Sequence, residues 1–219
     1  MRKGFGALLI VLGILMIIGA GGLVGYNLWD SSRATEAAEN YVSEVASRMP
    51  ETVTDAVRLE KEVEVLVQMD AEEPTIDIPY YVLNPEIEMV EQEIDGIPYI
   101  GLLEIPALDL ELPIISQWST SYAKISPCRY AGSAYTDDLI ICAHNYRSHF
   151  GRLSSLSTGD LIMLTDMEGN LFRYEVLEFE IIDGTHVSRM EEGDWDLALF
   201  TCTVGGKSRF TVRCIKMAE

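Results

Sequence analysis

The chain has 219 residues, 48% of them hydrophobic, and a formal charge of −19. That length gives room for one core of ordinary size plus attachments, and the acidity speaks against a nucleic-acid partner, because phosphate binding needs a basic face. Four cysteines stand at 128, 142, 202 and 214 without C-x-x-C spacing, which argues against a zinc site or a redox dithiol.

The N-terminus opens with Arg2 and Lys3, followed by an uncharged run from Phe5 to Trp29. As a helix of about 1.5 Å per residue this run is roughly 37 Å long, enough to cross an apolar core of about 30 Å with some tilt. Tyr26 and Trp29 fall where an interfacial aromatic belt belongs, and Arg2 and Lys3 predict a cytoplasmic N-terminus with export from Asp30 onward. A cleaved signal peptide is the rival reading, but its apolar region is usually only about 7–15 residues, so an uncleaved anchor is favoured. The boundaries read from sequence are 1–4 cytoplasmic, 5–29 transmembrane, 30–96 an extracellular stalk, and 97–219 the main domain.

Within the stalk, Ser31 or Ser32 is placed to cap a helix that runs to Met49 and stops at Pro50, with Ala37, Ala38, Tyr41, Val42 and Val45 as its apolar stripe. Charge is concentrated next: residues 51–96 carry −12, against −7 for all of 97–219. With Pro74, Pro79 and Pro85 interrupting it, this stretch reads as a solvated, self-repelling spacer in preference to a folded appendage. Its apolar positions from Val57 to Val67 fit helix and strand equally well.

From Ile97 the texture becomes all-β. Short apolar runs predict strands at Tyr99–Ile105, Leu110–Ile115, Leu139–Ala143, Leu161–Thr165, Leu171–Leu177, Glu178–Ile182, Leu197–Thr201 and Phe210–Ile215. Turn signals separate them at Asp166–Asn170, Asp183–Gly184 and Gly205–Gly206, and a helical turn or two is expected between Arg152 and Thr158. Eight short strands at this spacing predict a closed or nearly closed barrel.

Three of these runs end or begin on reactive side chains. Cys202 ends one strand, Arg209 starts the next across a Gly-Gly turn, and His144 ends the run Leu139–Ala143. A lone Cys in an apolar strand is more often an inert small hydrophobe, but the accompanying His and Arg make a thiol-nucleophile site the better reading. His144 would serve as acid and base. Arg209 has no proton to give near neutrality and would orient a carbonyl or stabilise an oxyanion, while Arg213, two residues on, is read as a surface ion pair. His149 forms H-x-x-x-x-H with His144 but lacks further ligands, and His186 has no evident partner. Asp166–Asn170 lacks the spaced carboxylates of a calcium loop. Cys128 and Cys214 are a candidate disulfide pair outside the cell, and Cys142 faces the same side of its strand as His144.

At these residues the chain resembles the sortases, the cysteine transpeptidases of Gram-positive cell surfaces. The pattern T-L-x-T-C matches Ala198–Cys202 with Ala198 in place of the first Thr, and the R-x-x-V-R run matches Arg209–Arg213. His144 is followed by Phe150-Gly-Arg-Leu153 and Gly159-Asp160, as in that family. The resemblance implies an eight-stranded sortase barrel with His144, Cys202 and Arg209 as catalytic residues. It further implies surface proteins bearing an L-P-x-T-G-like C-terminal sorting signal as substrates and a peptidoglycan amine as acceptor. No cofactor is expected; some sortases use calcium, but no ligand set stands out here. Hydrolysis of the thioester by a tethered cysteine peptidase and pilin polymerisation are the enzymatic alternatives. A non-enzymatic adhesion or sensor domain with a structural Cys202 is the third. Asp77–Tyr80 does not match the D-P-aromatic lid of the pilin type. Ser126–Tyr130 and Ala143–Tyr146 lean toward a class B-like subgroup.

Overall fold

The computed structural model describes residues 2–50 and 79–218. The ambiguous run Val57–Val67 and most of the acidic spacer lie outside the described residues. Among the described residues nine strands form one sheet: β1 (Gln92–Ile94), β2 (Ile97–Ile105), β3 (Leu110–Ile115), β4 (Cys128–Ala131), β5 (Leu139–Ala143), β6 (Leu161–Asp166), β7 (Leu171–Asp183), β8 (Leu197–Cys202) and β9 (Ser208–Lys216). Their order is β1-β2-β3-β4-β5-β8-β9-β7-β6, and antiparallel pairing of β2 with β6 closes strands β2 to β9 into an eight-stranded barrel. β1 adds a short edge to β2. Closure leaves few unpaired edges, the usual solution for a sheet of many short strands.

The expected barrel is present, with two differences in its strands. Leu171–Leu177 and Glu178–Ile182 are one continuous strand, β7, whose pairing with β9 shifts register between Val176 and Glu178. That β-bulge breaks the alternation and makes one strand read as two. β4 was not anticipated: four residues between Pro127 and Gly132 are too short for a periodic signal. The segment around Arg152 forms a 3₁₀ turn, Phe150–Ser155. Asp166 closes the β6–β7 hairpin: its carboxylate accepts hydrogen bonds from the backbone N–H of Glu168 and Asn170, from Asn170 Nδ2 and from Tyr135 Oη. Those four donors account for its burial.

Successive residues of the central strands alternate between two buried clusters. Leu139, Ile141, Leu197, Leu199, Val212 and Cys214 belong to the barrel interior. Ile140, Cys142, Ala198 and Phe200 belong to a second layer that also holds Val45, Met190 and Trp195. All four thiols are free. Cys128 lies in the second layer directly across from Cys142, whereas Cys214 points into the interior, so the two candidates for a disulfide sit on different faces of the sheet.

The N-terminal segment departs from expectation. A single helix, α1, runs from Arg2 to Arg48 with no break at Asp30. Ser31 and Ser32 do not cap it. The Ser32 hydroxyl donates to the Trp29 carbonyl and the Thr35 hydroxyl to that of Ser31, so these polar groups are satisfied along the helix itself. From Ile10 on, its first part is exposed on all sides and is long and apolar enough to cross a membrane. Its last four turns lie on the barrel: Ala34, Ala38 and Val45 are buried, and the Tyr41 ring packs tilted against that of Tyr99 with centroids 5.6 Å apart. These residues recur at helical spacing and form one apolar stripe. The packed unit likewise begins before Ile97. Tyr81 stacks on Tyr135 with ring centroids 4.7 Å apart, and Met89 is buried in the interior. The described ends of the expected stalk are therefore part of the folded body, because they carry its apolar side chains.

Barrel closure depends on Gly101. A Cβ there would stand 2.1 Å from the Thr165 carbonyl oxygen on β6, at a φ of +156°. Gly101→Ala is expected to prise β2 from β6 and cost about 2–4 kcal/mol, the range of severe overpacking and strain. Chemical denaturation measures it; wild-type stability in the variant would show that the strands have room to part.

Candidate active site

Strand pairing alone brings the three anticipated residues together. β5 and β8 run parallel, with Ala143 beside Thr201, so the residues that follow, His144 and Cys202, emerge at the same rim. β9 returns antiparallel from the Gly205-Gly206 turn and sets Arg209 directly opposite Cys202. The Thr201 hydroxyl donates to the Ala143 carbonyl at 2.9 Å and locks the two strand ends level. Ala198, where the expected pattern has Thr, is fully buried opposite Arg213 and serves packing alone.

His144, Cys202 and Arg209 line one cavity of about 290 Å³. Its walls are largely apolar: Trp118, Ala123, Met190 and the Tyr130–Phe200 pair, whose rings meet edge-on at 5.3 Å. Cys142 also opens onto it, on the same side as His144. Cys202 is half-buried. His144 Nε2 is buried and has no hydrogen-bond partner among the described residues. Burial, and then the charge of Lys124, hold the His144 pKa below the ordinary imidazole value, against an opposing pull from Asp30. The ring is thus largely neutral near pH 7.

Arg209 is anchored by its own turn: Nη1 donates to the carbonyls of Gly206 and Ser208 at 3.0 and 3.1 Å. Gly184 gives it clearance, since a Cβ there would meet the Lys207 carbonyl at 2.8 Å and Arg209 Nη1 at 3.3 Å.

Two residues read as bystanders have definite places. His186, in the loop between β7 and β8, lines the cavity together with Asp183. The strand period that revealed Cys202 does not extend into that loop, so only the fold could bring it there. His149 is not among the residues lining the cavity and is fully buried. Among the described residues, neither of its ring nitrogens has a hydrogen-bond partner of normal geometry. Burial and the neighbouring His144 push its pKa down to about 4, opposed by the backbone of Ala34 and Ile125.

Arg213 is not a surface residue. It is 1% exposed, donates to the carbonyls of Met190 and Arg189 at 2.7 and 2.6 Å, lies 3.5 Å from a Glu180 carboxylate oxygen, and stacks 4.6 Å over the Trp195 ring. The loop before β8, which supplies Met190 and His186 to the cavity, is fastened from beneath by this guanidinium.

A sortase-domain family model matches residues 103–219, more than half of the chain. The chain belongs to the sortase family. It is 29% identical over 106 residues to sortase D of Bacillus subtilis, and the match spans about half of each protein, 47% of this chain and 53% of that one. Among solved structures, Streptococcus pneumoniae sortase C superposes with a TM-score of 0.52 at 19% identity, covering 82% of this chain and 96% of the other. Clostridium perfringens sortase C, solved with the C-terminal cell wall sorting motif, gives 0.52 at 18% identity over 84% and 99%. At such identities the structural matches establish the sortase barrel alone. The curated relative's name, sortase D, lends the class B-like leaning no support.

Two measurements probe this description. Arg213→Lys keeps the charge but loses the planar fork that reaches two carbonyls; it is expected to cost about 1–3 kcal/mol in denaturant unfolding, as for a disrupted buried charged hydrogen-bond pair. His149 supplies a pH dependence. Its folded pKa of about 4 lies below the unfolded value near 6.5, so the unfolded chain binds the extra proton between these limits. Stability should be full above pH 6.5 and decline toward pH 4, by on the order of 3 kcal/mol. The slope should flatten in His149→Phe; an unchanged slope would assign the acid sensitivity elsewhere.

Proposed function

We propose that this sortase is a membrane-anchored cysteine transpeptidase. It cleaves an L-P-x-T-G-like sorting signal near the C-terminus of surface proteins and passes the acyl chain to a peptidoglycan amine. The observation that carries the reading is the convergence of Cys202, His144 and Arg209 on one largely apolar cavity in a chain of this family. The sorting motif held by the C. perfringens sortase C supports a substrate of the same class here. The apolar first part of α1 serves as a single-pass anchor, with Arg2 and Lys3 on the cytoplasmic side and the barrel outside the cell.

In the proposed reaction Cys202 Sγ attacks the Thr carbonyl of the signal, and the thiol proton passes to His144 Nε2. Arg209 faces the oxyanion of the tetrahedral intermediate and stabilises it by charge and hydrogen bonding. Collapse breaks the Thr–Gly bond, and His144 returns the proton to the leaving Gly amine. The thioester then meets an incoming amine, which gives up a proton to His144 as the new amide forms and the thiol is restored. The lowered His144 pKa suits the base role, because the neutral ring accepts the proton at physiological pH.

The test is acyl transfer from a sorting-signal peptide, read as the mass of the Cys202 adduct and of the product formed with added oligoglycine or diaminopimelate. Cys202→Ala should abolish the adduct. His144→Ala should lower turnover by roughly 10²–10⁴-fold, the usual worth of general acid–base help. Arg209→Lys should cost on the order of 10–10³-fold if the guanidinium acts through its geometry. An amide product requires transfer; release of free acid despite the amine would make the enzyme a hydrolase. Alkylation of Cys202 without any loss of function would point to an adhesion or sensor domain.

A further inference from the structure

α1 reaches the loop that carries His144. Asp30 is the first charged residue after the apolar run, and its carboxylate accepts a hydrogen bond from Tyr146 Oη. The Tyr146 ring packs between two imidazoles, with its centroid 5.0 Å from that of His144 and 5.4 Å from that of His149. Behind it, His149 is buried at the seam where the backbone of Ala34 on α1 approaches. The short loop from His144 to His149 is therefore clamped by the helix through one carboxylate and one ring.

We propose that Asp30 and Tyr146 are positioning residues for His144, so that the anchor helix forms part of the catalytic apparatus and is more than a tether. The inference rests on the transpeptidase reading for the role of His144, though not for the contact itself. His144 follows the last residue of β5, and Ala143 is the last of its neighbours held by strand pairing. Beyond that point its ring depends on what packs beside it, and Tyr146 is the aromatic side chain that packs against it, with the two ring planes tilted by 42°. A ring alone sets distance; a ring tied at its hydroxyl also sets direction. Asp30 adds a charge that favours the imidazolium, against burial and Lys124. Among the described residues, the other charged or titratable groups around His144 are Cys142 of its own strand, Tyr130 of β4, Cys202 of β8, Arg209 of β9, Asp183 at the end of β7, His186 of the loop that follows, and His149 of its own loop. Asp30, unlike these, is brought by the helix.

Full-length chain in detergent micelles provides the test, with two readouts. His144 is titrated by NMR in wild type, Asp30→Asn, Asp30→Ala and Tyr146→Phe, and acylation of Cys202 by a sorting-signal peptide is timed in the same samples. Asp30→Asn keeps an acceptor for the Tyr146 hydroxyl and removes the charge, so the His144 titration should move to lower pH. Tyr146→Phe and Asp30→Ala each cut the tie and should lower kcat by roughly 3–30-fold with little change in KM, within the ~10²-fold that a 1 Å misplacement can cost. The double variant should be no worse than either single one, as residues acting through one contact are non-additive. An unmoved His144 titration in both Asp30 variants, or kcat effects that multiply, would overturn the inference. Absence of any acyl adduct in wild type, with the titration shifted as expected, would instead remove the transpeptidase reading and leave the contact standing.

Discussion

Parallel pairing of β5 with β8 is the constraint on which the site depends. Two strands that run in the same direction end at the same rim, so residues at or just past their ends come to that rim together whatever separates them in sequence. His144 and Cys202 lie 58 positions apart and share one cavity for that reason. β9, antiparallel to β8 through a tight turn, then delivers Arg209 opposite Cys202 without any further long-range requirement. The rest of the barrel maintains this arrangement: β7 flanks β9, β4 flanks β5, and β2 meets β6 to close the ring.

A second dependence runs beneath the rim. Loops supply part of the cavity wall, and a loop holds position only where its backbone groups find fixed partners. Arg213 provides them for the segment before β8. A buried charge is tolerable only when paired and hydrogen-bonded, and here two carbonyls, one carboxylate and the Trp195 face meet that need. The small side chain of Ala198 lies opposite this arginine.

How far sequence reading went follows from what carries a period. The apolar alternation of β5, β8 and β9 marked their ends, and the reactive side chains sit at those ends, so all three anticipated residues lie where the pattern put them. Reading failed where contacts cross between elements. Arg213 stands on the polar phase of β9, and nothing in that strand reveals a loop covering it. β4 is too short to show a phase, and the bulge at Leu177 resets the phase of β7. The Asp30-Ser31-Ser32 cluster resembles a helix start, yet with no Gly or Pro present the hydroxyls bond back along the helix and the rod continues. Its buried stripe was legible; the surface it covers was not, because a stripe specifies a face and no partner.

The unbroken course of α1 also governs how the protein can move. Forty-seven helical residues at about 1.5 Å each make a rod of roughly 70 Å, exposed and apolar at one end and glued along the barrel at the other. An enzyme on a slack leash tumbles and samples many heights above a bilayer. In the proposed anchored form the stiff rod would hold the cavity at a nearly constant height above the bilayer. In that form encounter would become a search within a plane, and what would matter for a partner is the level at which it presents its chain.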